Sequence, residues 1–231
     1  MNDNYFQNEI ASHIGKMLRD AFGKGPQSIY VSVDRPFITV YLRNFLTPTE
    51  KILLGQGQIS AIRHTRMIVM SSLIPEIKAY LQVLTGMNHL DFYYDWELHN
   101  RSGIFVGCQF DDLSLSSIPE ESYIGKEELH REIGSMSQRI QKWPDSITSH
   151  MLNKRTLLII RTGILIDLSK ELIRLRDEEL LKEAVITLEK KALQHNNQVE
   201  QLLNTKVADV FLDWDLGRDL SVIAYILNPK A

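Results

Sequence analysis

The strongest constraint in this sequence is that it can be laid over itself. Residues 26–110 run against 144–228 at a constant offset of 118, and the matches hold at both ends. Pro26-Gln27-Ser28-Ile29 meets Pro144-Asp145-Ser146-Ile147, Arg43 meets Arg161, Asp91 meets Asp209, and Asp95-Trp96-Glu97-Leu98 meets Asp213-Trp214-Asp215-Leu216. Leu54, Ile68 and Leu84 fall on Leu172, Ile186 and Leu202, and one extra residue upstream brings Ile14-Gly15 onto Ile133-Gly134. In-register matching of hydrophobic character over so long a stretch implies one fold written twice. A chain of 231 residues has room for two such units. The expected division is a first copy over 1–110, a polar linker containing serine and proline over 111–121, and a second, diverged copy over 122–231.

Within each copy the hydrophobic periods give an order of elements. Phe6, Ile10, Ile14, Leu18 and Phe22 recur every fourth residue, which predicts an amphipathic helix. Gly23-Lys24-Gly25-Pro26 then ends it, because glycine accepts the left-handed conformation and proline cannot continue a helix. Strands are expected over 28–34 and 37–45, joined at Asp34-Arg35-Pro36. Thr47-Pro48-Thr49-Glu50 has the form of a capping box, so a helical region starts there, breaks at Gly55-Gln56-Gly57 and stops at Gly86. Strands over 89–98 and 103–110 close the copy. In the second copy Leu129, Ile133, Met136 and Ile140 mark the first helix, and Leu181, Ala184, Val185, Leu188, Ala192, Val199 and Leu202 mark a long one, with His195 on its stripe. Its strands are expected over 147–151, 156–162, 207–216 and 220–227. The fold class is α+β: two tandem α-β-β-α-β-β units, each an antiparallel sheet covered by helices.

The third strand of each copy carries the densest chemistry. Alternation puts Leu90, Phe92, Tyr94, Trp96 and Leu98 on one face and Asp91, Asp95 and Glu97 on the other; the second copy repeats this with Ala208, Val210, Leu212, Trp214 and Leu216 against Asp209, Asp213 and Asp215. Three carboxylates on one pleated face are candidate ligands for a hard cation. The plainer reading is a solvated face with Arg43 and Arg161 as cross-strand partners. Trp96 and Trp214 read as core anchors.

Other chemistry is sparse. Gly23-Lys24-Gly25 is not a phosphate loop, because it follows a helix where a phosphate loop opens one. The seven histidines show no metal-ligand spacing, and the single cysteine, Cys108, cannot build a zinc site or an internal disulfide. Ser71-Ser72 read as packing residues, the run Lys182-Glu183 with Glu189-Lys190-Lys191 as a solvated helix face, and no nucleophile has a partner at a recognisable spacing. A formal net charge of −3 argues against nucleic acid as a partner. The apolar stretches at 67–70, 73–74 and 157–166 fall short of a membrane span, and the polar start lacks the plan of a secretory signal. The expectation is a soluble, cytoplasmic protein with no catalytic residues and no cofactor, with self-association left open.

The segments Ile14-Gly15-Lys16-Met17-Leu18-Arg19-Asp20-Ala21-Phe22-Gly23-Lys24-Gly25-Pro26, Leu42-Arg43-Asn44-Phe45-Leu46-Thr47-Pro48-Thr49-Glu50-Lys51 and Asp95-Trp96-Glu97-Leu98 resemble the MpsC-like family. This resemblance covers about residues 9–110, and reaches the second copy through the internal repeat. It implies a non-enzymatic accessory or regulatory protein whose partner is the cytoplasmic face of a sodium-translocating or inorganic-carbon-handling membrane complex. The alternative from the residues themselves is a small-ligand or cation-binding sensor built on the two acidic strands.

Overall fold

The computed structural model describes residues 3–109 and 122–228, which form two compact units divided near residue 117. The expected linker, 111–121, lies outside the described residues.

In the first unit α1 (Asp3–Phe22) buries Ile10, Ile14 and Leu18 completely, the period-four stripe doing what its spacing requires. Gly23, at φ +72°, terminates it. A hairpin follows, β1 (Ser28–Asp34) and β2 (Phe37–Arg43), closed where Asp34 pairs with Phe37 across Arg35-Pro36. Thr47 then caps α2 (Pro48–Gly55): its Oγ1 accepts the Glu50 amide at 3.2 Å while Glu50 Oε2 accepts the Thr47 amide at 2.8 Å. The chain turns at Gly57 and continues as α3 (Ile59–Thr85), stopped by a left-handed Gly86. Two antiparallel strands complete the unit, β3 (Leu90–Glu97) and β4 (Ser102–Gln109).

The sheet order is β1-β2-β4-β3, antiparallel throughout. The helical crossover from β2 carries β3 past β4 to the sheet edge. Ile38, Val40 and Leu42 of β2 and Phe105 of β4 meet Ile14 and Leu18 of α1 and Met70, Ile77 and Leu81 of α3 in one apolar layer.

The second unit repeats this order with α4 (Lys126–Ile140), β5 (Ser146–Asn153), β6 (Thr156–Thr162), α5 (Asp167–Arg174), α6 (Glu178–Gln194), α7 (Asn197–Leu202), β7 (Lys206–Asp215) and β8 (Leu220–Asn228), in the sheet order β5-β6-β8-β7. Three of its details depart from the sequence reading. The long helix breaks at His195, which is an exposed C-cap with its Nδ1 2.7 Å from the Lys191 carbonyl, not a member of a buried stripe. The buried stripe of α6 is Leu181, Val185, Glu189 and Leu193; Leu188 is exposed. A bulge between Val207 and Asp209 turns Val207, in place of Ala208, onto the core.

The duplication is not gapless. Strand pairing puts Phe37 opposite Cys108 and Thr156 opposite Ile226, so the equivalence runs at 119 in β2 and 118 in β4. The extra residue enters at the irregularity between Met151 and Asn153. The offset of 119 then holds through the helix caps Thr47 and Ile166 and the positive-φ pair Gly57 and Arg176. It returns to 118 by Gly86 and Asn204, after the break between α6 and α7. Arg161 is therefore the counterpart of Leu42, and the Arg43–Arg161 match is replaced by Arg43 with Thr162.

Candidate functional site

The acidic strands are engaged in the protein's own ion pairs. Asp95, Glu97, Asp209 and Asp213 are buried, so the expected solvated face is not there. Asp95 stands 3.9 Å from Arg63 of α3, and the equivalent Asp213 is held at 2.7 Å by Lys182 of α6. The two carboxylates also accept the amides of Trp96 and Trp214, at 2.7 and 2.8 Å. Asp215 pairs with Arg218 at 2.6 Å. Asp91 lies half-buried on the edge strand β3. Among the described residues no three acidic, histidine or cysteine side chains converge as a metal cage. The cations that answer Asp95 and Asp213 come from the long helices, and the one that answers Asp215 comes from the β7–β8 turn; none of the three is Arg43 or Arg161.

The most ordered polar chemistry is one that spacing did not reveal: a buried arginine–glutamate pair beneath each tryptophan. In the first unit Arg66 of α3 is fully buried; its Nε and Nη2 donate to the two oxygens of Glu50 at 2.7 and 2.9 Å, and Nη2 also donates to the Phe45 carbonyl at 2.9 Å. Its guanidinium carbon lies 4.4 Å from the Trp96 ring centre and 4.8 Å from that of Phe45. Aromatic faces on a bidentate guanidinium offset part of its desolvation. Burial raises the Glu50 carboxyl, but the hydrogen bond and charge of Arg66, with help from Thr47, outweigh it and hold the group below its ordinary value.

In the second unit the pair is built from other positions. Arg161 of β6 donates to Glu189 of α6 at 3.1 and 2.7 Å, to Ser221 at 2.9 Å and to Ser137 at 2.7 Å. Trp214 Nε1 donates to the same Glu189 at 3.0 Å. Glu50 corresponds to Ser169 and Arg66 to Val185, while Arg161 and Glu189 correspond to Leu42 and Met70. A strand supplies the arginine here where a helix supplies it in the first unit. The expectation of a solvated face around Glu189 and Lys190 is corrected, since both are buried against this centre or its surroundings.

Of the smaller candidates the tryptophans and the cysteine resolve into packing, whereas Ser71 and Ser72, expected as packing residues, are exposed. Trp96 and Trp214 are buried core residues, and Cys108 is buried. Ser71 and Ser72 bond back to the carbonyls of Ile68 and Val69 at 2.7 and 2.8 Å. Lys24 reaches the Leu46 carbonyl at 3.1 Å. Buried Ser149 has Tyr123 Oη at 2.6 Å and His130 Nε2 at 2.7 Å, and burial pushes the Tyr123 phenol up to about 12. These contacts tie the approach to α4 onto β5.

One surface contrasts with this enclosed chemistry. Helix α3 spans 27 residues and is long and apolar enough to cross a membrane by length and composition alone. The short apolar runs at 67–70 and 73–74 are wound into this one helix, interrupted by Ser71 and Ser72. Most of its residues are wholly or partly exposed. Its outer side carries Ala61, Thr65, Ile68, Ser72, Pro75, Ala79 and Val83, with Ile68 55% and Val83 87% exposed. A groove of about 560 Å³ runs between α3 and the edge strand, lined by Ile74, Pro75, Ala79 and Leu90 with Lys78, His89 and Asp91.

With this architecture in place, both units match one family, described as the Na+-translocating membrane potential-generating system (MpsC), over residues 3–108 and 126–229. The chain belongs to the MpsC family. It carries two MpsC units in tandem, and the second matches the family directly. An uncharacterized Bacillus subtilis (strain 168) protein, YbcI, is 31% identical over 118 residues, covering 48% of this chain and 93% of its own length. About half of this chain thus aligns with nearly the whole of that relative. No solved structure matches the chain.

Proposed function

We propose that this MpsC protein is a non-enzymatic accessory subunit that docks on a protein partner, the cytoplasmic face of an ion-translocating membrane complex, through the outer side of α3. The observation that carries the reading is the exposure of Ile68 and Val83 on a mainly uncharged helix face, bordered by the exposed Glu76, beside a groove at a sheet edge. Contiguous apolar surface of this kind marks interaction sites in proteins that fold by burying such residues. The family description supports the membrane-complex assignment.

The second unit does not repeat the surface: Ile68 corresponds to Thr187, Ser72 to Lys191 and Val83 to Gln201. Docking is accordingly a property of the first unit. Its test is photo-crosslinking in cells from an unnatural residue at position 68, compared with one at position 187. Crosslinks from position 68 to a subunit of a sodium-translocating complex, abolished by Val83→Glu, are the expected result. Equal yields from the two positions, or products containing only soluble proteins, would overturn the proposal.

A further inference from the structure

At one end of the first sheet, three chain segments line an open surface cleft of about 470 Å³: Gln27 and Ser28 at the start of β1, Arg43 and Asn44 at the end of β2, and His99, Asn100 and Arg101 in the β3–β4 turn. No carboxylate lines it. The nearest acid in the turn, Glu97, is buried and accepts the His99 amide at 3.3 Å. Arg43 and Arg101 have no ion-pair partner among the described residues. Gln27 Oε1 accepts from Asn44 Nδ2 at 2.6 Å, which leaves the Gln27 amide nitrogen as a further donor.

The second unit shows what this end of the fold does without such a cleft chemistry. The lining residues correspond to Asp145, Ser146, Thr162, Gly163, Gly217, Arg218 and Asp219, so carboxylates replace Gln27 and Arg101 and the cation at Arg43 is lost. Asp219 Oδ1 accepts the amides of Ile164 and Leu165 at 2.7 and 2.9 Å, and Arg218 is bound to Asp215 at 2.6 Å. In the first unit the amide equivalent to that of Ile164, Phe45 N–H, is satisfied by the Arg101 main-chain carbonyl at 2.7 Å. The Arg101 side chain is thereby released from structural duty and lines the cleft.

We infer that this cleft is a binding site for a phosphate group, free or carried on a small hydrophilic molecule. Unpaired guanidinium forks are the strongest side-chain donors for oxyanions. They reach the cleft from different chain segments, and donors arriving from several sides suit a tetrahedral anion better than a planar carboxylate. The cleft volume falls within the range of small-molecule sites.

The test is an NMR titration of the full chain with inorganic phosphate at constant ionic strength, balanced with chloride, followed through the side-chain amides of Gln27 and Asn44 and the main-chain amides of residues 99–101. Saturable shifts confined to these groups are expected. Arg43→Gln and Arg101→Gln should each weaken binding by about tenfold. Arg218→Gln in the second unit should leave it unchanged, and Arg43→Lys should retain part of it. Linear shifts without saturation, the same response to added chloride, undiminished binding in the Arg43→Gln/Arg101→Gln protein, or tighter binding of acetate than of phosphate would each overturn the assignment.

Discussion

Arg66 holds its guanidinium carbon 4.4 Å from the Trp96 ring centre while two of its nitrogens grip Glu50. A planar, always-charged fork is required for this combination, since an ammonium group offers neither the bidentate geometry nor the stacking face. Replacing Arg66 by Met leaves the Glu50 carboxylate buried without its counter-charge and should lower stability by about 3–5 kcal/mol. Arg66→Met combined with Glu50→Gln removes both charges and should recover a large part of that loss. Urea unfolding of the single and double variants measures the coupling, and additive losses would contradict it.

Acid should weaken the same pair. The folded Glu50 carboxyl lies below its ordinary value, so its contribution is fully present above the unfolded-state carboxylate pKa and disappears as pH falls through the folded one. Urea midpoints at neutral pH and in acid should therefore diverge more for the wild-type protein than for Glu50→Gln. An identical acid dependence in the two would show that the pair is not what titrates.

Thr47 makes its contribution one turn before the pair. Thr47→Ala removes the acceptor for the Glu50 amide and should cost about 1 kcal/mol, whereas Thr47→Ser keeps the hydroxyl and should cost much less. Thermal melts of the three proteins separate a lost cap from lost packing.

Gly103 and Ser221 occupy equivalent positions beside the tryptophans and fail in opposite ways. A β-carbon at Gly103 would run into the Trp96 ring, so Gly103→Ala should destabilise by about 1–3 kcal/mol and alter the near-ultraviolet circular dichroism. Ser221→Ala removes an acceptor from the Arg161 Nε–H and should cost about 1–3 kcal/mol through an unsatisfied buried donor. An unchanged aromatic spectrum in Gly103→Ala would show that the ring does not rest on that glycine.

Local rules made much of the fold legible. The Thr47–Glu50 capping box, the stops at Gly23 and Gly86, and the alternation of β3 each involve residues near one another in sequence, where type and spacing determine the contact. The buried pairs were hidden because Arg66 and Glu189 sit in helices most of whose other polar residues are wholly or partly exposed. Nothing within a helical turn says that Glu50, 16 residues away, or Arg161, 28 residues away, will neutralise them. The apparent equivalence of Arg43 and Arg161 has a different origin. An inserted residue near Met151 and a deletion at the α6–α7 break cancel, so both ends of the alignment stay in step while its middle slips by one. The bulge, visible only as a pairing irregularity, is what exposes the slip.

The different provenance of the two buried charge pairs makes the copies non-interchangeable at the junction between the short and long helices. A hybrid unit crossing from the first copy into the second between the short and long helices would inherit Glu50 and Glu189 with neither arginine. The reciprocal hybrid would inherit Arg161 and Arg66 with neither glutamate. Each product encloses two like charges under one tryptophan, so a crossover at this point should give a strongly destabilised unit, while exchange of a whole unit would carry its charge pair intact.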